Sequence, residues 1–285
     1  MAQEVVLADF VVVLLLSIVT IAFKTIVLRR KELVSTWKRC PSLCLFLISN
    51  ALLALQTAFY VVQWLLFAYG IIENVVENTV FLLVVGHIVM ITQQFNHCAT
   101  VALFAQRVHH ILFPIKGVRT FNHTTILCLS LSVLVELGIS TYSIVDIFPL
   151  SGKPVPEGCL SFACMTKFTE FMRIYLSTFA SVMHILITIV GVYMLYLLRK
   201  VNVGHAGNER KKSNFARYAF YVRSVVLTIP FCIDTVLSNT FQIYIGRFIG
   251  PHGLVGCAVD FTAQTVLYYV VVRRQKKIFV TGTSI

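Results

Sequence analysis

The stretch Val5-Val6-Leu7-Ala8-Asp9-Phe10-Val11-Val12-Val13-Leu14-Leu15-Leu16-Ser17-Ile18-Val19-Thr20-Ile21-Ala22-Phe23-Lys24-Thr25-Ile26-Val27 decides the fold. A helix needs about 20 predominantly apolar residues to cross roughly 30 Å of hydrocarbon, and this run supplies them with one acid and one base near its ends. It is too long for the apolar core of a signal peptide and no basic stretch precedes it, so it is expected to stay in the bilayer as an anchor.

Working outward, six further segments meet the same requirement. The expected spans are Val5–Leu28, Pro41–Phe67, Thr79–Gln106, Thr124–Ile147, Phe171–Leu198, Tyr218–Ile243 and Gly250–Val272. Composition agrees: 58% of the 285 residues are hydrophobic and 13% charged, against about 25% charged in soluble proteins. No internal repeat or low-complexity tract divides the chain. The expectation is an all-α, seven-transmembrane helix bundle, one domain over 1–285, with a short basic tail over 273–285.

The net charge of +12 would suit nucleic acid if it formed a stripe interleaved with aromatics. It lies instead in clusters between apolar segments, so nucleic-acid binding is set aside. Of the 24 basic residues, 18 fall in the connections after spans one, three, five and seven; Lys153, Lys167 and Arg247 fall on the other side. Basic residues resist translocation, which puts the N-terminus outside and the C-terminus in the cytoplasm. Lys24, Arg173 and Arg223 sit at or inside span ends, where long basic side chains are expected to snorkel to the interface.

Eight cysteines divide by position. Cys40, Cys44, Cys98, Cys128, Cys232 and Cys257 read as small core residues. Cys159 and Cys164 share a polar loop on the expected outer side, an oxidising compartment, where a disulfide is open to them.

Span three ends Ala105-Gln106-Arg107-Val108-His109-His110-Ile111-Leu112-Phe113-Pro114. Rhodopsin-like G-protein-coupled receptors end their third helix in Asp-Arg-Tyr, with a branched apolar residue four positions after the Arg and a Pro seven after it. Arg107, Ile111 and Pro114 resemble that spacing, while Gln106 and Val108 replace the acid and the aromatic. Pro230-Phe231 in span six resembles the kinked helix that swings outward in those receptors; a mid-helix Pro removes a backbone hydrogen bond. Span seven lacks Asn-Pro-x-x-Tyr, no Cys lies near the outer end of span three, and Val89 stands where amine receptors carry an Asp.

With its short loops and termini, the chain resembles the nematode serpentine chemoreceptors, within them the class bc group. The resemblance covers the whole chain in layout and rests on one good segment. It implies a multi-pass receptor in the plasma membrane of a sensory neuron, binding a small molecule and activating a heterotrimeric G protein, for sensory transduction of the olfactory kind. Gln106, Arg107, Ile111 and Pro114 would form the coupling element and Pro230 with Phe231 the activation hinge. Because Gln106 cannot form the ion pair of the family's acid, Arg107 is expected to be less firmly restrained at rest. Arg107 also reads more simply as a positive-inside anchor, and Pro230 as a plain kink.

Ionisable groups in hydrocarbon are costly enough to be functional candidates by default. Glu136, Asp234 and Asp260 qualify, and no Lys or Arg is expected at matching depth; His184 is the candidate neighbour of Glu136. Gln93, Asn96, His97 and Thr100 share one helix face. Asn96, His97 and Thr100 read as packing groups, joined by Asn50; Asn50, Asn96, Glu136, His184 and Asp260 make up the expected buried polar core. His87, Gln93, Phe231 and Asp234 are the candidates to line a ligand pocket in the outer half, beside belt aromatics such as Tyr244.

Catalysis is not expected: His-Glu-x-x-His and Gly-x-Ser-x-Gly are absent and span seven carries no Lys for a retinal linkage. No metal, cofactor or oligomeric state is read from the sequence. The alternative is a secondary transporter using the buried carboxylates. The lipid bilayer is the surrounding partner on either reading, and the basic loops around Arg210-Lys211-Lys212 suit anionic lipid or an acidic protein surface. The sequon Asn122-His123-Thr124 falls after span three, on the cytoplasmic side of this topology. In a glycosylating host, Asn122 should stay bare, giving no gel shift on enzymatic deglycosylation; a shift assigned to Asn122 would invert the topology.

Overall fold

The computed structural model describes residues 2–27, 34, 36–38, 40–113, 118–166, 170–200, 207–241 and 252–274. Seven helices long and apolar enough to cross a membrane run through them, and no strand occurs among the described residues. Their bounds are Ala2–Val27, Pro41–Ala68, Val76–Leu112, Val118–Ser151 and Glu170–Lys200 for spans one to five. Span six is composite: Gly207–Arg223, a π-helical turn Ser224–Thr228, then Ile229–Thr240. Span seven runs His252–Tyr268 and ends in a π-helical segment, Tyr269–Arg274.

Local sequence explains several ends. Pro41 opens span two at the first helical position, where its missing N–H is no loss. Gly70, with φ of 71°, closes the same helix: its N–H donates to the Phe67 carbonyl and that of Ile71 to Leu66. A side chain would be strained in that left-handed conformation. Span six begins well before the expected Tyr218, and Arg210-Lys211-Lys212 lie on its helix rather than in a loop. Asn122 also belongs to the span-four helix, not to the connection before it.

Span three, at 37 residues the longest helix among the described residues, packs against spans two, four and five, the first part of span six and a short helix, Phe162–Thr166, in the loop between spans four and five. Large apolar side chains such as Leu15, Leu55, Leu134 and Ile189 are exposed on the bundle exterior, as a lipid-facing surface requires. Buried apolar residues form two clusters. One, around Phe10, Trp64, Leu82 and Phe261, includes Val155 and Phe162 of the loop; the other, around Phe46, Phe104, Phe215 and Tyr268, lies toward the opposite, basic end.

Helix contacts without a driving hydrophobic force depend on close approach. Gly191 of span five lies under the Phe220 ring of span six, where a β-carbon would meet ring atoms at 2.1 Å. Gly138 of span four has nothing within 4 Å of that position. Gly191→Val should therefore cost about 1–3 kcal/mol from overpacking, while Gly138→Val should be near neutral. Unfolding midpoints of the two variants in the same detergent check this, and equal midpoints would contradict the packing.

Candidate functional site

Arg223 ends the first part of span six, and its side chain is 3% exposed. Rather than snorkelling, it turns into the bundle and meets Asp260 of span seven, with Nη2 at 3.3 Å from Oδ2. A basic residue does therefore stand at the depth of a buried acid, contrary to the sequence expectation. The guanidinium also donates through Nη2 to Asn96 Oδ1 and through Nη1 to Thr100 Oγ1 on span three. Arg stays protonated in proteins, so in hydrocarbon it must be neutralised by a fixed partner.

Around this pair further donors and acceptors extend the network, although Arg223 Nε, Asn50 Nδ2 and Gln264 Oε1 meet no hydrogen-bond partner among the described residues. Asn96 Nδ2 donates to Asn50 Oδ1 at 2.7 Å and to Ser49 Oγ at 2.9 Å, both on span two. Gln264 Nε2 donates to Asp260 Oδ1 at 3.1 Å and to the Ala219 carbonyl of span six at 3.0 Å. Gln93 Nε2 donates to Cys257 Sγ at 3.1 Å. Spans two, three, six and seven are thus joined in a polar layer whose buried residues are excluded from water. At its span-one side, the buried Lys24 donates to the Leu47 carbonyl at 3.1 Å, and Thr20 shares a 2.8 Å hydrogen bond with Thr262. Lys24, too, is held inside the protein.

Directly beyond Arg223 the helix changes pitch. Ile229 N–H bonds the Ser224 carbonyl, five residues back, and Pro230 has no N–H to offer the Val226 carbonyl. That carbonyl lies 3.1 Å from the β-carbon position of Gly256 on span seven; the bare glycine lets the two helices approach there. Phe231 stacks on His184 of span five, centroids 4.5 Å apart. His184 also shares a 3.3 Å hydrogen bond with Thr228 and stands 5.3 Å from the His97 ring. The expected Glu136–His184 pair is not formed: Glu136 is buried on span four near Cys98.

At the basic end, Gln106 is fully buried and serves as a junction. Its Oε1 accepts from Cys40 Sγ at 2.9 Å and from Ser42 Oγ, and its Nε2 donates to Asn122 Oδ1 at 2.6 Å. Arg107 is 2% exposed and donates to Cys40 Sγ at 3.1 Å. An amide in place of an acid at position 106 therefore does not leave Arg107 loose; Cys40, at the start of span two, restrains it. Ile111 is partly buried near the helix end, and Pro114 and the tail beyond Arg274 lie outside the described residues.

The proposed ligand candidates are divided. His87 shares a 3.3 Å hydrogen bond with Ser143 of span four, and its ring is 6.4 Å from Phe162. Gln93 belongs to the polar layer, Phe231 to the His184 stack, and Asp234 is partly buried farther along span six. Cys159 and Cys164 form a disulfide. Among the other described cysteines, Cys128 and Cys232 are exposed on the bundle exterior rather than in the core. No protein-family model matches the chain and no curated protein is similar to it. Its chemistry therefore rests on its own geometry.

Sequence reasoning missed Arg223, Gln264, Cys40, Ser42 and Asn122. A signal existed for Gln264, four residues after Asp260 and so on its helix face. Breaking a buried ion pair by removing one partner costs about 3–5 kcal/mol. Arg223→Gln and Asp260→Asn should each lose about that much stability, and the double variant less than their sum by about 0.5–3 kcal/mol. Unfolding titrations in detergent micelles measure the cycle; strict additivity would show that the pair is not coupled.

Proposed function

We propose that the chain is a chemosensory G-protein-coupled receptor, in which a small, partly lipophilic ligand in the outer half shifts the helices and exposes a G-protein surface at the basic, cytoplasmic end. The observation that carries this reading is the single polar layer through which Arg223 ties span six to spans two, three and seven. Signalling across a bilayer requires an element with two discrete arrangements that both ends can bias. Span six has the build for it: its inner part is anchored by Arg223, and the π-turn and Pro230 allow its outer part a different course.

Arg107 fits the same scheme. Behind Cys40 it is withdrawn from the surface, and a parting of spans two and three would release its guanidinium from Cys40 toward a partner's carbonyl groups. Sensory neurons and the plasma membrane enter with the chemoreceptor resemblance.

A second reading, a secondary transporter, is favoured by one observation, the buried Arg223–Asp260 pair. Protonation of Asp260 would release Arg223 and loosen the layer, which is how proton binding drives carriers.

In cells with a calcium or cyclic-nucleotide reporter and a panel of volatile and soluble small molecules, a responding ligand should lose on the order of tenfold in response with Arg107→Ala, within the usual range of coupling energies. A full response from Arg107→Ala counts against the coupling element. Uptake of labelled solute into liposomes that requires Asp260 would favour the transporter instead.

A further inference from the structure

The loop between spans four and five is built into the bundle. Val155, Cys159, Phe162 and Met165 are buried within the apolar cluster of the neighbouring spans, and the Cys159–Cys164 disulfide closes a small ring around Phe162. The Asn74 side chain, after span two, holds the loop at the Val155 backbone: its Oδ1 accepts from Val155 N–H at 2.8 Å and its Nδ2 donates to the Val155 carbonyl at 2.9 Å. Phe162 reaches span three at Gly86, where a β-carbon would lie 2.4 Å from its Cδ2 and 2.6 Å from its Cβ. The ring thus rests on bare helix backbone. Phe162 N–H donates to Tyr60 Oη at 2.9 Å, and His87 flanks the ring.

We propose that Phe162 is a tethered occupant of a ligand subsite on span three, formed by Gly86, His87 and Tyr60, which takes a neutral molecule carrying one aromatic ring and an adjacent N–H donor. The proposal deepens the receptor reading and rests on it for what binding triggers, not for binding itself. A loop that only covered the bundle could place any apolar side chain there. This one presents a ring to a glycine and an amide donor to a buried phenol oxygen, so the subsite is complementary to both features together. When the loop lifts, it leaves a ring-sized slot with a hydrogen-bonding oxygen at its edge. A tethered group competes at an effective concentration of about millimolar for short tethers. The intact protein therefore binds an external ring only in the fraction of molecules whose loop is out.

The test uses the full chain in lipid nanodiscs, with N-acetyl-L-phenylalanine amide as the probe and N-acetyl-L-leucine amide as the control, followed by ligand-observed NMR titration. Phe162→Ala should bind the phenylalanine probe about tenfold more tightly than the parent protein, with no gain for the leucine probe. Phe162→Leu, which keeps the loop's apolar volume, should change affinity in the same direction. Gly86→Leu added to either variant should fill the slot and abolish the gain. No gain in either Phe162 variant, a gain that survives Gly86→Leu, or an equal gain for the leucine probe overturns the subsite. A gain that obeys these rules while the probe evokes no reporter response supports the subsite and counts against the receptor reading.

Discussion

A guanidinium cannot shed its charge to enter hydrocarbon, and that constraint organises the bundle. Once Arg223 lies inside, Asp260 must face it, and the donors left over must find acceptors that a lipid cannot provide. Asn96 and Thr100 supply acceptors to the two Nη groups of Arg223 from span three; Asn50 and Ser49 then accept from Asn96, and Gln264 donates to the far oxygen of Asp260. Each partner fixes the rotation of its helix about its own axis. Apolar packing in lipid does this poorly, because hydrocarbon chains compete for the same contacts.

The two apolar clusters on either side of that layer have different work. Toward the basic end, Phe46, Phe104 and Phe215 form a tight aromatic core, capped by the Gln106 junction that draws spans two, three and four together. At the opposite end the cluster is completed by a loop, held by Tyr60, Asn74 and a local disulfide. One end is closed by helices and the other by a segment joined to the bundle through a few specific contacts. That asymmetry is what the receptor proposal asks of the two ends.

Sequence alone carried the fold far because hydropathy is a solvent property: a run such as Val5–Val27 has nowhere to go but lipid. The polar core was half legible. Asn50, Asn96 and Asp260 announced themselves as polar residues in apolar runs, and they do meet at one layer. Arg223 was misread because its distance along the chain from the expected span end suggested an interfacial position. The helix in fact begins at Gly207, so Arg223 is more than four turns in. His184 was paired with the wrong acid, since sequence gives depth but not which helices are neighbours. At Gln106 the sequence shows the missing carboxylate but not what an amide adds: an acceptor oxygen and a donor nitrogen that bridge two helices at once.

The π-turn at Ser224–Thr228 also has a bearing on how the chain tolerates change. Such a turn holds one residue more than an α-helix of the same height, and each residue of an α-helix accounts for about 100° of rotation. Removing a single residue between Arg223 and Pro230 would restore a regular helix without shortening the span appreciably. It would leave Ile229–Thr240 facing as it does now, because residue i+5 of a π-turn lies over residue i where residue i+4 lies in an α-helix. Winding the same residues as a regular α-helix would instead turn the part beyond Pro230 by roughly a quarter turn and carry Phe231 off His184, so the π-turn takes up one residue and keeps that stack.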